Sequence, residues 1–389
     1  VIDKLGEIAD LGVTAILLYP VMQNDERPIK QFLPTGYRPK DYEHVDRNFG
    51  DLPTLCSLVA AAHARGIRVI LDMPITLPGF EHPFLADPKK KDWFGPRSEY
   101  GVPRWKVENP AVADYLIGVC KRWKERTECD GFRIDSAHLQ PIAFWKRFVA
   151  ELKSGPAGEN FLILPELTIS PQEIGKFVSA AGFDGAYDFS VLRCREVFGR
   201  GEDVEQLSFI ARQAKQFYPR PRTMLAAIDN YEKSFTSNAQ EPKATRTRLA
   251  LTYLLTLDRV PLLYAGNELG LAFDDVGGAF PDNRRDSPFL QEIKALIALR
   301  HSHPALRRGT FTEVFAGNLV YAFVRELADD RILVVLNGAA RPQKFAAIAQ
   351  GELVERQCVD LLKGQVVKAA GSDEAITLEA FGALVLSVL

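Results

Sequence analysis

The chain has 389 residues, 47% of them hydrophobic and 25% charged, with a formal net charge of -2. This is the composition of an ordinary soluble globular protein, and so balanced a charge makes no electrostatic case for nucleic acid or an anionic membrane as partner. The length exceeds one small domain and suits a barrel of about 250 residues with a further domain attached.

No apolar run approaches the roughly 18 residues that a spanning helix needs. The first residue is Val1, and the chain opens directly on a helical pattern at Ile2, Leu5, Ile8 and Leu11. No signal peptide is visible in the sequence, and a cytoplasmic location is expected. Cys56, Cys120, Cys129, Cys194 and Cys358 are an odd number without metal-ligand spacing. They read as free, mostly buried thiols in a reducing compartment.

Short β-branched runs alternate with helical stretches, the pattern of parallel βα units and an α/β fold. Val13–Tyr19 reads as a strand, Leu52–Arg65 as an amphipathic helix closed by Gly66, and Ile67–Asp72 as a second strand. Residues 78–108 carry little periodicity and read as a long loop or small subdomain. Ala111–Thr127 is helical, with Asn109 and Pro110 suited to its cap and first turn. Further strands follow at Gly131–Asp135, Phe161–Glu166, Gly185–Asp188, Thr223–Asp229 and Val260–Tyr264. Helices at 141–154, 171–181, 204–216, 245–257 and 290–301 separate or follow them. These make seven strands where a closed (β/α)₈ barrel needs eight, so the sequence predicts a barrel lacking its first strand, which would precede residue 1.

Beyond Leu306 helices give way to short strands at 312–315, 320–325, 332–337, 353–360, 365–368 and 383–389. The expected organisation is therefore a barrel domain over 1–306 and a β-sandwich over 307–389.

Barrel active sites lie at the C-terminal ends of the strands. Several strands here finish on a carboxylate, among them those ending at Asp72, Asp135, Glu166, and Asp229 with Glu232 close behind. One such Asp is commonly a helix cap, but several around one ring repel one another and destabilise the fold unless something uses them. Arg133 stands two residues before Asp135, so both side chains share a strand face, and the guanidinium is expected to keep Asp135 ionised. Leu and Pro flank Glu166, surroundings that favour a protonated general acid. A nucleophile and an acid together fit retaining glycoside hydrolysis, which needs two carboxyl groups about 5–5.5 Å apart. Phosphoryl chemistry would want a P-loop or Gly-rich phosphate turn, and neither is present. A Schiff-base aldolase would want a lysine at a strand end, and none of the seven strands ends in one.

At these residues the sequence resembles the α-amylase superfamily, glycoside hydrolase family 13. GFRIDSAH (131–138) is similar to the motif around the nucleophile, and LPEL (164–167) to the segment bearing the acid/base. TGYRPKDYEHVDRNFG (35–50) is similar to the loop after the second strand, VPLLYAGNELG (260–270) to the last barrel strand, and PDNRR (281–285) to a following loop. That last loop is common in the cyclomaltodextrinase, neopullulanase and oligo-glucosidase branches. The resemblance implies Asp135 as nucleophile, Glu166 as acid/base and Glu232 as the third catalytic carboxylate. It implies Tyr37 as a ring stacked on the sugar, with Arg133, Asp72, Asn230 and Tyr231 among the groups that bind it. His138 is a further candidate donor, three residues past Asp135.

Departures from the pattern bear on function. Where the first motif normally ends in Asn-His, Thr76 and Leu77 stand, so no calcium site of the usual kind is expected, nor any other metal or cofactor. Where the fourth normally reads Asn-His-Asp, the chain has Asn230-Tyr231-Glu232. Trp93, Phe94 and Trp105 are either platforms for outer sugars or packing for the loop. His44, His63, His82, His301 and His303 read as surface or structural residues. Two functions follow: a retaining α-glycosidase or transglycosylase acting on maltooligosaccharides or related α-glucosides, or a catalytically impaired member of the same fold kept for carbohydrate binding or as a subunit.

Overall fold

A computed structural model of the chain describes residues 1–26, 36–98, 101–155, 158–218, 223–230, 243–271, 286–345, 357–368 and 376–388. It divides into two compact units: residues 1–187 with 217–223, and residues 188–216 with 224–389. Among the described residues no helix is long and apolar enough to cross a membrane.

All seven parallel-type strands read from the sequence are present. They are β1 (Ala15–Leu18), β2 (Arg68–Met73), β3 (Gly131–Ile134), β4 (Leu162–Pro165), β5 (Gly185–Tyr187), β6 (Thr223–Ala226) and β7 (Val260–Pro261). In the first unit β1 to β4 form one parallel sheet in chain order. Its inner strands are buried nearly throughout, as expected of strands covered on both faces. Gly131 opens β3 because neighbouring backbone leaves no room for more: a Cβ there would lie 2.5 Å from the Leu162 carbonyl oxygen.

The connecting helices have local causes. Asp51 accepts from the Thr54 amide and caps Leu52–His63, with Pro53 in the first turn. Asn109 caps Pro110–Thr127, and Ser170 with Glu173 forms a reciprocal capping box ahead of Pro171–Ala181. The 78–108 segment is not a plain loop. It carries 3-10 turns at Pro83–Leu85 and Pro88–Trp93 and a ribbon pairing Phe94–Arg97 with Pro103–Trp105. Trp105 is 1% exposed and meets Tyr42, His82, Phe94 and Tyr115. A ring so enclosed cannot serve as a sugar platform, so for Trp105 the packing reading is correct. A second ribbon, Met22–Asn24 with Pro39–Val45, was not legible in the sequence.

In the second unit β6 and β7 pair in parallel. The C-terminal strands are β8 (Thr310–Gly317), β9 (Val320–Leu327), β10 (Asp330–Asn337), β11 (Gln343–Phe345), β12 (Gln357–Asp360), β13 (Gln365–Lys368), β14 (Ile376–Leu378) and β15 (Ala383–Val388). Six of them form an antiparallel sheet in the order β8-β9-β10-β15-β12-β13, and β11 pairs with β14 as a separate ribbon. Alternate residues Val320, Ala322, Val324, Leu333, Val335, Leu384 and Leu386 meet Phe345 and Leu378 of the ribbon in one apolar core. Cys120, Cys129, Cys194 and Cys358 are buried, and Cys56 is half-buried.

Candidate active site

Strand register builds the centre of the first unit. Asp72 on β2 lies opposite Arg133 on β3, and Arg133 lies opposite Leu164 on β4. Asp135 and Glu166 each follow by two residues, so period-two alternation puts all four polar side chains on one face at the strands' C-terminal ends.

Arg133 is the hub. Its Nη1 donates to both oxygens of Asp72 at 2.9 Å and to Asp135 Oδ1 at 2.8 Å, and its Nη2 lies 2.8 Å from Glu166 Oε2. Arg133 is 4% exposed and Asp72 1%. Burial alone would lower the Arg133 pKa, but Asp72, Asp135 and Glu166 together raise it well above the ordinary guanidinium value, so the charge is permanent. Its Cζ lies 5.3 Å from the Tyr37 ring centre and 5.8 Å from that of Tyr187, within the range of cation–π attraction.

Burial pushes Asp72 up to about 6, against the pull of Arg133, with the Asp135 charge adding to the rise. Tyr37 Oη donates to Asp72 Oδ2 at 2.7 Å. Burial likewise pushes Asp135 up to about 6 despite Arg133, and neighbouring Glu166 raises it further. The guanidinium pulls the Asp135 pKa down, as its place two residues away on the strand suggests, and desolvation works against it.

Glu166 has polar partners beside the Leu and Pro that flank it in sequence. Oε2 accepts from the Ser136 amide at 3.1 Å as well as facing Arg133. Ser136 takes a left-handed backbone, φ 45°, in the turn after Asp135, and this aims its amide at Glu166. Such a conformation is uncommon for a residue other than glycine and is found where a site needs it.

The structure thus brings Tyr37, Asp72, Arg133, Asp135 and Glu166 together. His138 lies in the turn Ala137–Leu139 with Nε2 3.2 Å from the hydroxyl of Thr168, two residues past Glu166. Thr76 is buried and donates to the Asp135 carbonyl at 3.1 Å, and the Leu77 carbonyl accepts from Tyr42. Asn230 belongs to the second unit, where it follows a fully buried Asp229 that accepts from Asn267 Nδ2 at 2.6 Å. Tyr231, Glu232 and the 281–285 loop lie outside the described residues.

Sequence reasoning missed Tyr187, the Ser136 amide and Thr168. Tyr187 ends a short β run just as the carboxylates do, and that position was its only signal. A backbone amide leaves no trace in residue type.

Comparison with known proteins identifies the family. The family model for the α-amylase catalytic domain matches residues 1–100, and that for the maltogenic amylase C-terminal domain matches residues 309–385. Neopullulanase 2 of Thermoactinomyces vulgaris is 29% identical over 99% of this chain and 70% of its own length. The solved α-amylase of Anoxybacillus is 30% identical with a TM-score of 0.88, covering 100% of this chain and 89% of that one. The α-amylase of Geobacillus thermoleovorans, solved with acarbose, is 29% identical with a TM-score of 0.88, covering 100% and 91%. The chain spans 70%, 63% and 64% of the length of three curated relatives, among them a cyclomaltodextrinase from a Bacillus species. With its (β/α)₈-barrel fold and C-terminal antiparallel sheet, the chain belongs to the α-amylase family, glycoside hydrolase family 13, near the neopullulanase and cyclomaltodextrinase branch.

Proposed function

We propose that this protein is a retaining α-glycosidase acting on maltooligosaccharides or related α-glucosides. The observation that carries this reading is the single guanidinium of Arg133, which meets Asp135 through one nitrogen and Glu166 through the other. A nucleophile and an acid/base must exchange charge during catalysis, and one fixed cation between them serves both ends of that exchange.

In the first step an Asp135 oxygen attacks the anomeric carbon while the bond to the leaving oxygen breaks. Glu166 gives its proton to that oxygen, so negative charge passes from Asp135 to Glu166. In the second step Glu166 takes a proton from water, the water oxygen attacks the anomeric carbon, and Asp135 leaves as carboxylate. A sugar hydroxyl in place of water gives transglycosylation. Glu232 is assigned the third carboxylate role, holding two sugar hydroxyls as the ring distorts, and Tyr37, His138, Asn230 and Tyr231 are assigned to substrate binding.

The second reading, an impaired carbohydrate-binding member of the family, is favoured by Thr76, whose hydroxyl is engaged with the Asp135 carbonyl. Release of p-nitrophenol from p-nitrophenyl α-glucoside and α-maltoside, beside an Asp135→Asn variant, decides between the two. Turnover that disappears in the variant supports the glycosidase. A folded protein that binds maltooligosaccharide without turning it over supports the binding role, and turnover that survives in the variant removes Asp135 as nucleophile.

A further inference from the structure

The inference concerns what keeps Arg133 in place and rests on the reading of Asp135 and Glu166 above. Nη1 is shared between Asp72 and Asp135, and Asp72 offers it both oxygens at 2.9 Å. Electrostatics alone therefore gives the guanidinium a competing position, turned fully onto Asp72 and away from Glu166. The contacts to Asp135 and Glu166 oppose that turn, and a group that draws on none of the N–H donors adds to them.

Two rings flank the cation. Tyr37 is bonded through its hydroxyl to Asp72, so it follows Asp72 and provides no independent reference. Tyr187 is different. It ends β5, a strand beyond the three that carry the polar cluster, and it is 6% exposed. The strand itself is fixed closely, because a Cβ at Gly185 would lie 1.6 Å from the Thr223 carbonyl oxygen. A ring face anchored there attracts the guanidinium without competing for its N–H donors.

We propose that Tyr187 is a positioning residue for Arg133, its ring face holding the guanidinium where one nitrogen serves Asp135 and the other Glu166. The face is the working part, so phenylalanine keeps the function and leucine, similar in bulk but without a π face, loses it.

The test compares Tyr187→Phe and Tyr187→Leu in the full chain, with Tyr187→Met in place of leucine where leucine does not fold. Two measurements are made: kcat and KM on p-nitrophenyl α-maltoside, and the ¹⁵N–¹H signals of the Arg133 guanidinium, assigned with Arg133→Lys. The expected result for leucine is a kcat lower on the order of tenfold, an unchanged KM, and a smaller upfield ring-current shift of the Arg133 signals, Tyr37 alone remaining to supply it. Phenylalanine keeps both wild-type values. Leucine with wild-type kcat and unmoved Arg133 signals overturns the proposal, as does phenylalanine falling as far as leucine. The spectra decide the placement of Arg133 even where no α-glucoside is turned over, an outcome that defeats the glycosidase reading separately.

Discussion

Tyr37 donates its hydroxyl to Asp72 at 2.7 Å, and Asp72 holds Arg133 Nη1 with both oxygens at 2.9 Å, so a phenol on a loop is linked to the cation between the two proposed catalytic carboxyls. Tyr37→Phe removes this bond and leaves the ring in place for a sugar. Loss of a donor to a buried carboxylate costs on the order of 1.5–3 kcal/mol, to be read from urea unfolding at pH 7. The hydroxyl is among the groups holding the Asp72 pKa down. Without it that pKa rises, and the acid limb of kcat/KM moves to higher pH. An unmoved acid limb separates Asp72 ionisation from catalysis.

The raised carboxyls also give stability a pH dependence of unusual sign. Asp72 and Asp135 stand near 6 in the fold against 3.8 unperturbed, burial being the main cause. Between roughly pH 4 and 6 the folded chain therefore binds more protons at these groups than the unfolded chain. Their contribution to stability falls as pH rises through that window and is level above it. Asp51, Glu151 and Glu173 have lowered values and work in the opposite sense, so the measurement is a difference. The unfolding free energy of wild type minus that of Asp72→Asn is expected to decrease from pH 4 to pH 6. A difference that increases over this range reverses the assignment of burial as the dominant influence.

Much of this arrangement was legible in the sequence because strands buried on both faces leave a plain signal. RVILDM, GFRI and LILP are short apolar runs closed by polar residues, and Asp72, Arg133, Asp135 and Glu166 declare themselves by position and charge. What the sequence concealed depends on contacts between segments distant in the chain. The Met22–Asn24 ribbon pairs with Pro39–Val45 through irregular register, which no period-two pattern reveals. Burial and the neighbouring Glu166 raise the pKa of Asp135, whereas sequence reasoning weighed only Arg133. Trp105 reads in sequence like any loop aromatic, and only the packing of Tyr42, His82 and Tyr115 around it shows that the loop has a core.

Arg133→Lys separates the charge of the hub from its geometry. An ammonium keeps the positive charge but presents it at one nitrogen on a flexible stem, where guanidinium offers a fixed fork. It can approach Asp72 and Asp135, or Glu166, but cannot reproduce the two contacts at 2.8 Å made by separate nitrogens. The expected result is a kcat lower on the order of a hundredfold, the scale of a 1 Å misplacement of a catalytic group, with KM little changed. Arg133→Met removes the charge as well and strands three carboxylates, a change expected to destabilise the fold by roughly 3–5 kcal/mol. Lysine at wild-type kcat would mean that charge alone matters and the shared contact does not.

The second unit has its own buried hub, and its removal is predicted to cost stability through backbone groups rather than charges. Arg325 is fully buried on β9. Nη1 donates to the carbonyls of Thr256 at 2.6 Å and Leu306 at 2.9 Å, Nη2 to that of Gly309 at 3.2 Å, and Nε to that of Thr310 at 3.1 Å. Thr256 ends the helix Lys243–Thr256, and Leu306 lies in the helix Pro304–Arg308, so two of these acceptors are helix-end carbonyls with no partner within their own helix. One side chain therefore joins two helix ends to the antiparallel sheet. Arg325→Met keeps most of the stem's packing and removes every donor, leaving buried acceptors unpaired. The expected loss is on the order of 3–5 kcal/mol in urea unfolding. Arg325→Lys, with one donor nitrogen in place of the three used here, should recover only part of it. A loss below about 1 kcal/mol for the methionine variant, the ordinary effect of a substitution, would mean that water enters to satisfy these carbonyls, and that the arginine is not what joins the helices to the sheet.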